Sequence, residues 1–487
     1  MAIVAPPLGE NQGKSKRSEK RQIERQRKKI EKKLQKAGKA NDMKVRFDNE
    51  TVTSNAPFTF LEAFKRVIGL DNIIRSHLSM ERHHNQQYSL PELLEQAVDA
   101  LLIGHSRFSH MQQLKKDPGY RIIKGKDHIA DESTIRKLFP KMEEEQILSL
   151  AKINAVVLKS LVKLLSPRSI WVDFDDSVIT VHGKQENSDV GYNPRYQGRP
   201  SYKVKVGCIS ELDLLLNIGL YNGKTTSNGD FFPFLEKTLE IAKKLGTMVV
   251  QGVRMDKGFF DKKNFQKLEE ENIYYVCKVP LRQTIKKMIA YVGETNDWIS
   301  LSETYDCAEL TVPLPSWEKA RRFVFIREKI KGDEESLFSE EVIDYRYEVM
   351  VTNIDYMTPE EIWHCYNKRC DVENRIDELK EGFGVDQTSQ ECFFANYAFA
   401  LVKGLSYNIL QGFKWLLPHE TLPFEAPRVR RTFINQPGNI RGNGRNRYVS
   451  LPPNRWLEKA IKIFKKKFAL FIKHLAEIKA LELLTPV

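Results

Sequence analysis

From Phe58 to about Leu165, apolar residues recur at three- and four-residue intervals in LEAFKRVIGL, LPELLEQAVDALLIG and EEQILSLAKINAVVLKSLVKLL. That period gathers them on one side of α-helices, so a helical domain is expected over 46–166. Within it, DESTIRKLF offers Asp131 or Ser133 as the cap of a short helix. At Ser169 the period drops to two. IWVDFDDSVITV, YKVKVGCIS and LDLLLNIGL read as three successive strands separated by Gly, Asn and Pro. A helix follows at FFPFLEKTLEIAKKLG, then a strand at TMVVQGVRM, a helix at KKNFQKLEEEN and a strand at IYYVCKVP.

The order β-β-β-α-β-α-β describes an α/β fold, a mixed sheet covered by helices. Three hairpin-type strands followed by α/β units is the order of a ribonuclease H-like fold, expected over 167–280. Between 281 and 358 the alternation breaks. WISLSETYDCAELTVPL, RRFVFIREKI and RYEVMVTNID read as strands between polar turns, a β-rich insertion. Helix returns at Pro359, a favoured first-turn residue, and runs to about Gly382. A second helix at FFANYAFALVKGLSYNILQGFKWLL completes the interrupted domain over 359–420. The remainder, 421–487, is a basic, Gly/Asn-rich turn region and a Lys-rich helix.

No apolar run reaches the ~18 residues of a membrane span, and no secretory signal pattern opens the chain. The expectation is a cytoplasmic, nucleoid-associated protein without a membrane partner. The six cysteines are scattered with no CxxC pair, which fits a reducing compartment. His364, Cys365 and Cys370 cluster without the spacing of a zinc site. The net charge of +13 is unevenly placed: thirteen Lys/Arg against three Glu between Lys14 and Lys39 contribute +10 of it. A basic tail, 1–45, is therefore distinct from a nearly neutral body, and it suits sequence-independent attraction to phosphates.

Chemistry concentrates at three acidic positions. Asp is poorly suited to strands, yet WVDFDDSV carries Asp173, Asp175 and Asp176. The strand period sends Asp173 and Asp175 to one face and Asp176 to the other, with Phe174 and Val178. Asp256 closes the strand VRMD at a strand-to-helix turn, where ligands gather in α/β sheets. Glu373 lies on the helix after the insertion. Three carboxylates on a rigid frame are the least that a pair of Mg²⁺ ions needs. On the helix, Tyr366, Arg369, Glu373 and Lys380 stand at offsets 0, 3, 7 and 14. At ~100° per residue they share one narrow arc beside Val372, Ile376, Leu379 and Phe383, which are expected to face the core. A carboxylate for metal flanked by cations for phosphate suits phosphodiester chemistry.

Tyr-x2-Arg-x3-Glu-x6-Lys resembles the Tyr-Arg-Glu-Lys signature of DDE transposases of bacterial insertion sequences, complete in Tyr366, Arg369, Glu373 and Lys380. FDDSV resembles that group's first motif and VRMDKGF its second. HGKQENSDVGYNPRYQGRPSYK, SHMQQLKKD and DESTIRKLF are similar to the branch often called the thirteen-eighty family. Two positions depart from the pattern: Asp176 stands where a small residue is usual, and Lys257 where Ser is frequent. The resemblance implies a ribonuclease H-like catalytic domain in which Asp175, Asp256 and Glu373 hold two Mg²⁺ ions, or Mn²⁺ in their place. It implies cleavage at the terminal inverted repeats of an insertion sequence and strand transfer into target DNA, by a homodimer on double-stranded DNA. Arg369 and Lys380 then grip terminal phosphates and Tyr366 positions DNA near the cut. It also selects Asp175 among the three aspartates, with Asp173 as a helper that tunes its neighbour and Asp176 as structural.

Arg195, Arg199 and Lys203, interleaved with Tyr192, Tyr196 and Tyr202, suit a DNA-contacting loop. Arg441, Arg445 and Arg447 suggest the same more weakly. Trp298 and Trp317 are candidates for stacking on an unpaired base. Two alternatives stay open: an inactive transposase-derived DNA-binding protein, and a ribonuclease H-like metal nuclease without strand transfer. A tyrosine recombinase is disfavoured, because Tyr366 lacks the Arg/His constellation such a nucleophile needs.

Overall fold

A computed structural model describes residues 21, 23–29, 49–81, 86–165, 167–246, 249–295, 297–330, 344–442 and 448–484. The chain separates into two units, Met1–Glu50 and Thr51–Val487. In the first, residues 23–29 are helical and exposed. Most of the basic run from Lys14 to Lys39 lies outside the described residues, as do Arg445 and Arg447.

In the second unit, eight strands of five residues or more build the central sheet. They are β1 (Ser169–Thr180), β2 (Pro200–Ile209), β3 (Leu214–Asn222), β4 (Val249–Met255), β5 (Tyr274–Lys278), β6 (Tyr305–Val312), β7 (Arg321–Ile330) and β8 (Asp344–Thr352). With the two-residue strands Asp189–Val190 and Ile299–Ser300 they make one ten-stranded sheet, ordered β3-β2-β1-β4-β5-β8-β7-β6. β3, β2 and β1 are antiparallel neighbours, and β1, β4 and β5 run parallel. The mixed sheet expected from the alternating pattern is present. Strands of the segment 281–358 continue it, because β8 pairs antiparallel with β5, Met350 opposite Lys278. That segment also holds a helix, Gln283–Thr295, where a β-rich insertion is expected. Its apolar residues Ile285, Met288, Ile289 and Val292 recur at helical spacing, with Ile285 and Val292 buried and Met288 and Ile289 packed against the core.

Helices cover both faces. The ones that matter for the site are α1 (Leu90–Ile103), α2 (Glu144–Leu165), α3 (Phe231–Lys244), α4 (Pro359–Asn367), α5 (Cys370–Asp377), α6 (Phe393–Lys414) and α7 (Arg455–Leu484). Phe174 leaves one face of β1 and meets Phe231 and Phe234 of α3 edge-on, with centroids 5.2 and 6.0 Å apart. On the opposite face α5 packs on β1, and α6 packs between β3 and α2. Gly404 permits that approach: a Cβ there would stand 2.8 Å from Leu215 Cδ2. Phe464 of α7 meets Phe60 and Phe413 at 5.3 Å, so the helical N-terminal region, α6 and α7 share one core. A second apolar cluster, including Trp171, Val276, Val324, Met350 and Ile362, lies under α4.

Local signals explain the start of the helix pair. Thr358 caps α4 by accepting the Glu361 N–H at 3.2 Å, while Glu361 accepts the Thr358 N–H at 2.8 Å. Ser89 and Glu92 form the same reciprocal cap on α1. Asp131 precedes the short helix Glu132–Arg136, but its carboxylate takes Lys115 Nζ at 2.7 Å in place of a backbone N–H.

Candidate active site

Each of the three aspartates in β1 has a different environment. Asp173 is fully buried and accepts two bonds from Arg254, Nε–Oδ1 at 2.6 Å and Nη2–Oδ2 at 3.0 Å. Asp176 lies on the other face, where Lys203 donates to it at 3.2 Å and Lys205 Nζ lies at 3.9 Å. Asp175 has the loosest set. Its Oδ1 accepts the Asp176 N–H at 2.9 Å and its Oδ2 is 3.4 Å from Arg369 Nη1. Burial pushes the Asp175 carboxyl up to about 6, and Arg369 only partly offsets that. Asp173 is also raised by burial, against the pull of Arg254.

Parallel pairing brings the second acid alongside. Phe174 stands opposite Met255 in the β1–β4 ladder, so Asp175 and Asp256 are adjacent at the end of that pairing. Asp256 begins the one-turn helix Lys257–Phe259, and its carbonyl accepts the Phe259 N–H at 3.0 Å and the Cys277 S–H at 3.6 Å.

The third acid arrives on the helix, through Arg369. This guanidinium is buried, donates to Glu373 Oε1 at 2.7 Å and reaches Asp175 on its other side. Its Nε and Nη1 have no hydrogen-bond partner. Tyr366, also buried, lies beside it with the guanidinium carbon 5.8 Å from the ring centroid, and burial raises its phenol. Glu373 itself is 58% exposed. Tyr366, Arg369 and Glu373 therefore converge with Asp175 and Asp256 at one end of the β1–β4 ladder.

The arc expected on one continuous helix is carried instead by three segments: α4, α5, and a π-helical turn over Glu378–Gly382. Val372, Ile376, Leu379 and Phe383 are buried as the arc requires. Lys380 sits in the π-turn, half-buried, where the uniform rotation that put it in line with Glu373 no longer applies.

Two further arginines, silent in the motif reading, fix this helix pair. Arg254 donates to the Cys365 carbonyl at 3.1 Å and to Ser210 Oγ at 2.5 Å while held by Asp173. Arg375 bonds the Asp213 carboxylate and the Ser210 carbonyl, the latter at 3.1 Å. A signal for the first existed: Asp173 and Arg254 each stand two residues before a motif aspartate, on strands of matching register.

The proposed DNA loop does not join this cluster. Arg195 and Arg199 are exposed, whereas Lys203 turns inward to Asp176 and Tyr202 is buried, donating to the Glu186 carbonyl at 2.5 Å. Trp317 is core, packed on Phe260, Phe265 and Phe323, so it is closed to a base. Trp298 is half-buried under Arg327, whose guanidinium lies 4.3 Å from its ring centroid.

Among the described residues no three acidic, His or Cys side chains form a ready-made metal cage. The donor chemistry nevertheless fits a hard divalent cation. Asp175, Asp256 and Glu373 offer carboxylate oxygens only, and the desolvated Asp175 lacks the full positive charge that its burial demands.

A family model described as "Transposase DDE domain group 1" matches residues 35–468. Among curated proteins none matches the chain by sequence. One solved structure to which the chain is similar is a cryo-EM structure of a piggyBac transposase synaptic complex with hairpin DNA. It shows 11% identity, covers 89% of this chain and 83% of that chain, and has a TM-score of 0.38.

Proposed function

This chain belongs to the transposase DDE domain family, group 1, enzymes that cut and join DNA, and we propose that it mobilises a bacterial insertion sequence of the Tyr-Arg-Glu-Lys type. In this reading a homodimer in the bacterial cytoplasm cleaves at terminal inverted repeats and transfers the freed ends into target DNA. The helical region 46–166 recognises the ends, 167–280 with 359–420 is a ribonuclease H-like catalytic domain, 281–358 is its insertion, and 421–487 adds basic surface. The strand order β3-β2-β1-β4-β5, antiparallel and then parallel, supports the ribonuclease H-like assignment.

The observation that carries the proposal is Arg369, set between the Asp175 and Glu373 carboxylates at 3.4 and 2.7 Å with Asp256 on the adjoining strand. Asp175, Asp256 and Glu373 would hold two Mg²⁺ ions. When bound, those ions supply activation of the attacking oxygen and charge for the departing one. Arg369 keeps two acids turned toward one another, and its unmet Nε is a donor for a phosphate oxygen. Tyr366 fixes the guanidinium from below and Lys380 adds charge to the DNA path. Arg195 and Arg199 meet the DNA backbone further out, and Lys203 supports that loop through Asp176.

The test is cleavage of DNA carrying the element's ends, identified from the inverted repeats flanking the gene. Wild-type protein is expected to cut with Mg²⁺ or Mn²⁺ and to stop with chelator. Asp175→Asn, Asp256→Asn and Glu373→Gln are each expected to lose on the order of 10³-fold in rate while binding end DNA. Any one variant cutting at the wild-type rate removes that residue from the site.

A further inference from the structure

Residues 191–199, GYNPRYQGR, lie in the connection from β1 to β2 and contain no acidic side chain. Tyr192 is 78% exposed and Tyr196 51%. Arg195 and Arg199 are exposed, and among the described residues neither guanidinium has a hydrogen-bond or ion-pair partner. The Tyr192 ring touches no other ring, so both faces are open to a planar ligand. An exposed loop of this kind is ordinarily loose, but this one is braced. Asn193 is buried, donates to Thr180 Oγ1 at 2.9 Å and accepts the Tyr196 N–H at 3.0 Å. Gly191 lies so close to the Gly223 turn that a Cβ would meet the Gly223 carbonyl oxygen at 1.9 Å. The loop's root is tied to the segment before α6, where the Glu186 N–H donates to the Glu391 carbonyl at 2.8 Å.

The loop also stands at a definite distance from the acids. β1 runs five residues past Asp175, beyond its pairing with β4, to Thr180, where Asn193 of the loop is bonded. At ~3.4 Å per residue that is about 17 Å, or roughly five base-pair steps of ~3.4 Å.

We infer that this loop is a DNA finger in which Tyr192 stacks on an unpaired base while Arg195 and Arg199 hold the flanking phosphates. The inference rests on the DNA-cutting function proposed above. A braced aromatic ring loses little freedom on stacking, and it tolerates any base because every base presents a π-face. In an intact duplex both faces of each base are already covered, so the finger favours DNA with unpaired bases.

Binding of the full chain by fluorescence anisotropy, without divalent ions, tests this with a labelled duplex of arbitrary sequence and the same duplex carrying a short central mismatch bubble. Wild-type protein is expected to prefer the bubble about tenfold. Tyr192→Ala lowers affinity for the bubble to that for the duplex, and Tyr192→Trp keeps the preference. Arg195→Gln with Arg199→Gln weakens both DNAs and flattens the log–log salt dependence by nearly two. No preference in the wild type, or one unchanged in Tyr192→Ala, overturns the finger. Cleavage of end DNA by the same preparation separates the two readings. Cutting without a Tyr192-dependent preference overturns the finger alone, and the preference without cutting overturns the catalytic reading alone.

Discussion

Asp173 meets Arg254 at 2.6 and 3.0 Å, whereas Asp175, two residues on and on the same face, meets Arg369 at 3.4 Å. The first carboxylate is spent on a buried bidentate pair; the second is half-satisfied and available. Removing one partner of a buried pair leaves the other charge uncompensated, which costs about 3–5 kcal/mol. Asp173→Asn should therefore lower unfolding stability by about that much in urea titrations. Asp175→Asn should instead fold at least as well as wild type and fail in cleavage. An Asp173→Asn protein as stable as wild type would show that Arg254 finds compensation elsewhere. The acids themselves were legible in the sequence because each breaks a local rule: charge within a strand, or charge at a strand end. Arg254 was legible only through its place two residues before Asp256, matching Asp173 before Asp175, and Arg375 not at all, since a helix brings it to Asp213 and Ser210, which are distant in the chain.

The helix pair α4–α5 was visible as one amphipathic run because a single period covers Ile362 to Phe383. Its subdivision was not, because backbone departures from a regular ladder answer to tertiary partners. Arg430 is one such partner. Buried, it donates Nη1 to the Gly382 carbonyl at 2.5 Å, Nε to Leu102 at 3.0 Å and Nη2 to Leu101 at 2.7 Å. One side chain thus closes the C-terminal carbonyls of α1 and of the π-turn that ends the Glu373 helix. Burial lowers the Arg430 guanidinium to about 10, yet it stays charged at neutral pH. Arg430→Met strands three carbonyls and should cost about 3 kcal/mol at ~1 kcal/mol for each lost bond, with Arg430→Lys recovering part. Thermal melts of the two variants check it, and equal midpoints for Met and wild type would mean that water replaces the guanidinium. The helix Gln283–Thr295, by contrast, was legible in the spacing of Ile285, Met288, Ile289 and Val292, but the strands that follow it set the β-rich character read for 281–358.

At the scale of the molecule, the helical N-terminal region is joined to the sheet through a continuous apolar core that runs from Phe58 to Leu475. It also carries a buried charge cluster in which Lys65 and Lys124 meet Glu62 at 2.9 and 3.0 Å, and Lys124 meets Asp99 at 3.1 Å. Burial alone would raise the Glu62 carboxyl, but the two ammonium groups outweigh it and hold the carboxyl at about 2. A carboxyl held below its ordinary 4.5 stabilises the fold fully above that pH and loses the contribution as pH falls toward 2. The shift is worth about 3 kcal/mol. Asp175 acts with the opposite sign: raised to about 6, it lets the fold gain stability as pH falls toward the ordinary 3.8. Net acid loss should therefore begin only below about pH 4.5. Because the core is shared, helix content by far-UV circular dichroism and the fluorescence of a variant keeping only Trp171, in β1, should fall together in one transition. Glu62→Gln removes the titrating group and should shallow that acid limb while lowering stability at neutral pH. Two separated transitions, helix signal first, would show that the helical region and the sheet unfold as independent bodies despite their common core.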